Sequence, residues 1–283
     1  MAWTTLAVLD WTSQRFTEAG IDSARLEAQL LLAHVLGCSR MQLYTGFDRP
    51  LGDDELAGYR ALIKRRLGGE PVAYLLGEQE LWGLPFFVDA SVLIPRPDTE
   101  TVIEVARALR PDRAAPCRVL DLCTGSGAIA ISIAKELTGA RVIATDVSPE
   151  AVAIARRNAD RNAVADRVDI RLGDLFAPVI GERFDLIVSN PPYIASSVIP
   201  TLSREVQREP RLALDGGADG LVFYDRICAV ASEYLPPGGA LVVEHGFDQA
   251  EAVAARFVAA GFAAVELIYD LGKNPRVTRG LRP

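Results

Sequence analysis

From Arg118 onward the chain repeats one pattern, a short apolar run, a turn, then a stretch with helical spacing. Segments 119–122, 142–145, 168–171, 184–189, Ala240–Glu244 and 264–269 read as strands, and 127–138, 149–162, 222–235 and 248–260 read as amphipathic helices separating several of them. Strands that are apolar on both sides must be covered on both faces, and strands joined through helices run parallel. The pattern therefore predicts an α/β fold, a doubly wound and mostly parallel sheet. A last run, 276–279, adds a seventh strand folded back against the end of the sheet.

The part before this is different. Leu6 and Leu9, then Leu26, Leu30, Leu31 and Val35, then Leu56, Tyr59, Leu62 and Ile63, follow helical spacing, with Asp22 or Ser23 as a cap for the second helix and Gly68-Gly69 ending the third. From Tyr74 to Ile94 the chain turns to aromatics and turn residues, which predicts a β-hairpin, and a helix over 99–109 leads into the alternating region. A chain of 283 residues, 49% of them hydrophobic, is long enough for two domains.

Charge and cysteine content exclude several classes. The net charge is −7, and the first 85 residues hold 8 Lys/Arg against 11 Asp/Glu. A domain that grips a phosphate backbone is expected to be basic, so nucleic acid is disfavoured as the main partner. Cys38, Cys117, Cys123 and Cys228 show no C-x-x-C spacing, and there are only two histidines, so reduced thiols, a cytoplasmic location and no metal site are expected. The N-terminus lacks a signal-peptide pattern, and no apolar run approaches the roughly 20 residues of a membrane span.

Two motifs carry chemistry. The first strand closes in Asp121-Leu122-Cys123-Thr124-Gly125-Ser126-Gly127 and a helix follows, so small residues allow a sharp turn with a ligand near the free N–H groups of the helix start. Asp146 ends the second strand about 20 residues beyond Gly127, where a carboxylate can bind both ribose hydroxyls. Gly125-x-Gly127-x-x-Ala130 alone also fits a dinucleotide fingerprint, a weak signal by itself. Asp121 separates the readings: an acid at the start of the loop opposes a pyrophosphate but suits S-adenosylmethionine, whose sulfonium and ammonium are positive. Asp174, after the third strand, is placed to meet the adenine amino group, with Leu175 beside it.

The second motif is Asn190-Pro191-Pro192-Tyr193, which stops the fourth strand. Two prolines allow neither helix nor ladder to continue, so the turn is rigid and displays an amide and free carbonyls at the sheet edge. An sp² nitrogen is a poor nucleophile because its lone pair is delocalised into a carbonyl or a ring. Its two N–H groups can be accepted by Asn190 Oδ1 and the Pro191 carbonyl. If these acceptors lie off the amide plane, they favour a pyramidal nitrogen and are stronger in the transition state than in the ground state. Tyr193 is expected to stack on the planar group. No histidine is assigned to catalysis: His245 is expected to shape the pocket and His34 to sit in a core.

Together, Asp-x-x-x-Gly-x-Gly, the ribose acid and Asn-Pro-Pro-Tyr resemble class I S-adenosylmethionine-dependent methyltransferases acting on amino or amide nitrogen. Tyr74-Leu75-Leu76-Gly77, Leu93-Ile94-Pro95-Arg96-Pro97-Asp98-Thr99-Glu100, 188–194, Glu209-Pro210 with Ala213-Leu214, and Glu244-His245-Gly246 resemble, more narrowly, the peptide chain release factor glutamine methyltransferases of the HemK/PrmC type. The resemblance implies a Rossmann-like methyltransferase domain over 96–283, a helical substrate-recognition domain over 1–72, and a β-hairpin linker over 73–95.

It also implies methyl transfer from S-adenosylmethionine, giving S-adenosylhomocysteine, to the side-chain amide nitrogen (N5) of the Gly-Gly-Gln glutamine in class I release factors. By the same resemblance, Asp121, Cys123, Thr124, Gly125, Ser126, Gly127, Asp146, Asp174, Leu175 and Asn190 hold the donor. Asn190, Pro191, Pro192, Tyr193 and Arg96 meet the acceptor, and a monomer without direct nucleic-acid or membrane partners is expected. Cys123 stands where many relatives have glycine, and Leu175 where some have an aromatic residue. The same acceptor logic leaves open a ribosomal-protein glutamine methyltransferase and, opposed by the acidic N-terminal segment, methylation of adenine N6 or guanine N2.

Overall fold

The computed structural model describes residues 3–283. The chain divides into two units, one running up to Gly77 with 203–208 added, the other Glu78–Leu202 with Glu209–Pro283.

The first unit is helical: α1 (Thr5–Glu18), α2 (Ala24–Leu36), α3 (Arg40–Thr45), α4 (Asp53–Leu67) and α5 (Val72–Leu76). Its core gathers Phe16, Ala28, Leu31, Leu32, Tyr59 and Ile63, and the Tyr59 hydroxyl donates to the Ala28 carbonyl at 2.9 Å. The expected face of α2 is corrected: Leu26 is exposed, and the inward face is Ala24, Ala28, Leu31 and Leu32, where small side chains let a neighbour approach. His34, expected in a core, is exposed, because it lies about 200° around the helix from Leu32. Ser23 takes the N-cap position of α2 without a side-chain hydrogen bond. Arg66, only 2% exposed, pairs with Glu27 at 2.5 Å and with Glu205, and Arg208 donates to the Gly68 carbonyl at 3.0 Å; these bonds hold 203–208 in this unit.

The second unit opens with the hairpin β1 (Glu78–Leu81) and β2 (Leu84–Phe87). Trp82 and Gly83 both have positive φ, the two-residue turn that matches strand twist. The expected linker, 73–95, opens inside the helix α5 (Val72–Leu76); Gly77 ends that helix in the left-handed conformation before the hairpin starts. After α6 (Glu100–Leu109) come β3 (Cys117–Leu122), α7 (Ala128–Glu136), β4 (Ala140–Asp146), α8 (Pro149–Arg161), β5 (Val168–Leu172), β6 (Leu186–Ser189), α9 (Arg211–Leu214), α10 (Val222–Tyr234), β7 (Ala240–Glu244), α11 (Ala250–Ala259), β8 (Ala263–Tyr269) and β9 (Pro275–Leu281).

These strands form a seven-stranded sheet in the order β5-β4-β3-β6-β7-β9-β8. β3 to β7 pair in parallel, while β9 runs antiparallel between β7 and β8. Alternation along each strand divides the core in two. Val119, Val142, Leu186 and Val242 pack with α6, α7 and α8 on one face; Leu120, Ile143, Ile187 and Val243 pack with α10 and α11 on the other. Chain order reverses between β3 and β6, the switch point whose carboxyl edge holds ligands in doubly wound sheets. No helix of the described residues is long and apolar enough to cross a membrane.

Candidate active site

The loop after β3 turns through three left-handed residues, Cys123 (φ 59°), Gly125 (φ 55°) and Gly127 (φ 81°). At Gly127 a Cβ would come within 3.0 Å of Ile131 and 3.1 Å of Ala155, so α7 and α8 close on that backbone only because it is glycine. Cys123 holds the same conformation with a side chain, and Leu175 (φ 46°) does so across the cleft. Left-handed backbone at non-glycine residues costs on the order of 1–2 kcal/mol each and gathers at binding sites.

Two carboxylates organise this loop. Asp121 Oδ2 accepts from Thr124 Oγ1 at 2.6 Å and from the Ala130 N–H at 3.2 Å. Asp121 is fully buried and does not line the cleft, so the expected contact with the donor's positive groups is corrected: it braces the loop from beneath. Burial pushes its carboxyl up to about 7, against the hydrogen bonds from Thr124 and Ala130. Asp146, at the end of β4, does line the cleft; it accepts from the Gly125 N–H at 2.8 Å and the Ser148 N–H at 2.9 Å, with its pKa raised by burial. Ligand hydroxyls are thus offered a carboxylate whose orientation the backbone has already fixed. Asp174 lines the same cleft and pairs with Arg226 at 2.5 Å on the exposed side, while Leu175 accepts from Thr145 Oγ1 through its carbonyl at 3.0 Å.

β6 lies directly beside β3, and Ser189 Oγ donates to the Leu122 carbonyl at 2.8 Å, joining the two strand ends. This brings Asn190 and Pro192 into the wall of the cleft that holds Cys123, Thr124, Gly125, Ser126 and Asp146. Asn190 Nδ2 donates to Thr99 Oγ1 at 3.2 Å. Pro191 is buried and Tyr193 half-buried, and neither lines this cleft; the Tyr193 ring packs against the core under α10 and its carbonyl accepts from Gln249 Nε2 at 2.9 Å. A Cβ at Gly220 would overlap that same carbonyl, so the turn after β6 is clamped from outside by backbone.

Arg96 also lines the cleft, its guanidinium paired with buried Glu209, whose other oxygen accepts from the Ile94 N–H at 3.0 Å. His245 does not line it: it is fully buried, with Nε2 against Thr278 Oγ1 at 2.9 Å, because its position continues β7 into the pairing with β9.

Sequence spacing did not find three groups of residues. Asn158 on α8 is fully buried; its amide meets both the N–H (2.6 Å) and the carbonyl (3.0 Å) of Phe87 and the Ser126 carbonyl (2.8 Å), tying the hairpin to the loop. Phe223 on α10 is the one aromatic side chain of the cleft among the described residues. Ser91, Val92, Leu93 and Pro95, assigned to the linker, form part of the wall. Helix-face residues and connector residues have no local signature, so only the packed chain identifies them.

The lining presents Asp146 and Asp174, and its only cation among the described residues, Arg96, is neutralised by Glu209. A pyrophosphate finds no free positive charge here. A ligand with a sulfonium, an ammonium and ribose hydroxyls fits these groups, and open space over Gly125 admits it close to the backbone.

Comparison with known proteins agrees with this geometry. Residues 7–77 match the family described as PrmC N-terminal domain, and 105–217 match the methyltransferase small domain. A release factor glutamine methyltransferase of Geobacter sulfurreducens is 48% identical over 279 residues, spanning 98% of this chain and 96% of that protein. The protein of the same name from Escherichia coli is 41% identical, over 92% of each. Among solved structures, a methyltransferase from Pyrococcus furiosus (TM-score 0.53, 22% identity, 77% of this chain and 96% of that one) and the N-terminal domain of human METTL16 (TM-score 0.54, 18% identity, 71% and 77%) share the fold. By identity along nearly its whole length, this chain belongs to the release factor glutamine methyltransferases.

Proposed function

We propose that the protein transfers a methyl group from S-adenosylmethionine to the side-chain amide nitrogen, N5, of the glutamine in the Gly-Gly-Gln motif of class I release factors. The supporting observation is that one cleft contains both Asn190, after the end of β6, and the loop after β3, which Asp146 at the end of β4 holds.

When bound, S-adenosylmethionine supplies a methyl carbon made electrophilic by its sulfonium. Of the residues that line the cleft, Asp146 would hold the ribose hydroxyls, the loop from Cys123 to Ser126 would border the donor, and Asp174, Leu175 and Phe223 would flank the base. Asn190 Oδ1 accepts one N–H of the glutamine amide, and the carbonyl of Pro191, which lies between the cleft-lining Asn190 and Pro192, accepts the other as the amide enters. Acceptors off the amide plane cost the ground state its resonance and favour the pyramidal nitrogen on which the new N–C bond forms as the S–C bond breaks. Pro191 and Pro192 hold these acceptors before substrate arrives, so alignment at about 3 Å supplies much of the rate. Tyr193 backs the turn through its packing on the core. After transfer the nitrogen is cationic and acidic, and it loses its proton to water without a dedicated base.

The test is transfer of labelled methyl to a purified class I release factor and to its Gly-Gly-Gln to Gly-Gly-Ala variant. Label is expected on the first alone; label on both, or on RNA in place of protein, would overturn the assignment.

A further inference from the structure

A carboxamide has a donor end and an acceptor end of nearly the same shape. The proposed function needs Asn190 with Oδ1 toward the cleft. Turned over, its NH₂ would face the NH₂ of the glutamine, donor against donor, and the advantage would disappear. Something inside the protein must therefore choose between the two orientations.

The groups beside Asn190, Thr99 in the cleft wall and the buried Glu244, can do so. Thr99 directly precedes α6 at its N-cap position, where a threonine hydroxyl ordinarily accepts from the helix's first N–H groups; here it makes no such bond. Instead Thr99 Oγ1 accepts from Asn190 Nδ2 at 3.2 Å, and both side chains lie close enough to the buried carboxyl of Glu244, the last residue of β7, to favour its charged form. Thr99 is 4% and Glu244 1% exposed. The Thr99 hydroxyl carries one hydrogen; given to Glu244, it leaves only lone pairs for Asn190. With the hydroxyl turned toward Glu244, the order of donation would run from Asn190 to Thr99 to Glu244.

Stability alone does not account for this carboxyl. Burial pushes it up to about 7, its Oε2 has no hydrogen-bond partner among the described residues, and the nearby Arg276 is committed to Asp98 at 3.0 Å and Asp270 at 3.5 Å. A buried, incompletely paired carboxyl is costly compared with an apolar side chain.

We infer that Thr99 and Glu244 are positioning residues that fix the orientation of the Asn190 carboxamide, holding its oxygen toward the methyl acceptor. The inference rests on the proposed role of Asn190 and deepens it. Neither residue takes part in bond making.

The test measures kcat, KM for the release factor and the dissociation constant of S-adenosylmethionine in Thr99→Val, Thr99→Ser, Glu244→Gln and Asn190→Ala. Thr99→Val is expected to lower kcat about tenfold or more with donor affinity and KM within about threefold, and Thr99→Ser to recover most of the loss. Glu244→Gln, whose amide can donate to Thr99 and so reverse the order, is expected to lower kcat at unchanged donor affinity, and it decides the matter if Thr99→Val does not fold. The inference fails if kcat stays within about threefold of wild type in the folded variants, if Thr99→Ser is as impaired as Thr99→Val, or if kcat falls only in step with donor affinity. Wild-type kcat in Asn190→Ala would overturn the role of Asn190 itself; collapse there with an unaffected Thr99→Val would overturn only the positioning.

Discussion

Asp121 and Asp146 stand at equivalent ends of neighbouring strands, yet do different work. Asp146 reaches the cleft and is aligned by two backbone N–H groups; Asp121 is sealed under the loop and holds Thr124 and Ala130. The seal gives a sign-definite pH dependence. The Asp121 pKa, about 7 in the folded protein against an ordinary 3.8, means that the native state binds a proton more tightly than the unfolded chain. Its contribution is complete at low pH and is lost as pH rises through 7. Glu244 acts in the same direction, raised to about 7 from 4.5. Urea unfolding between about pH 5 and pH 8, without methyl donor, should show stability falling with pH. Asp121→Asn should flatten that slope by up to about 1.4 kcal/mol per pH unit, and an unchanged slope would contradict the assignment. The sequence could not reveal this division of labour. It shows two acids at strand ends, and which one faces ligand depends on where the loop's N–H groups converge.

At the scale of elements, the site is assembled by buried amides as much as by the loop itself. Asn158→Ala leaves the Phe87 N–H and carbonyl and the Ser126 carbonyl without partners. The expected cost is about 2–4 kcal/mol, measured as a lower denaturation midpoint, with weaker donor binding because Ser126 borders the cleft. A change within about 0.5 kcal/mol would mean that water replaces the side chain at little cost. The elements legible from sequence were those with enough length to show a period. β3, β4, β6 and β7 are apolar on both faces, and α8, α10 and α11 run ten residues or more. α3, α5 and α9, at four to six residues each, are too short to display helical spacing, and α5 lay hidden in what read as the start of the hairpin. β9 was legible as a strand, but its place between β7 and β8 depends on pairing partners remote in sequence.

At the scale of the whole molecule, the proposed reaction divides between strand ends at the sheet's switch point: β3 and β4 would carry the donor's half and β6 the acceptor's, with Glu244 of β7 beside it. Asn-Pro-Pro-Tyr was legible as chemistry because consecutive prolines cannot continue a strand. Its inner support, Thr99 and Glu244, was not, since these residues are distant in sequence and meet Asn190 only in the folded sheet. Asn190 and Asp146 should therefore fail in opposite ways. The decisive measurement compares donor affinity with the single-turnover rate of methyl transfer in Asn190→Ala and Asp146→Ala. Asn190→Ala should lower the rate on the order of 10²–10³-fold with donor affinity nearly unchanged, while Asp146→Ala should weaken donor binding by about 10–100-fold. Loss of donor binding in Asn190→Ala with the rate at saturating donor preserved, or unchanged donor affinity in Asp146→Ala, would contradict this account.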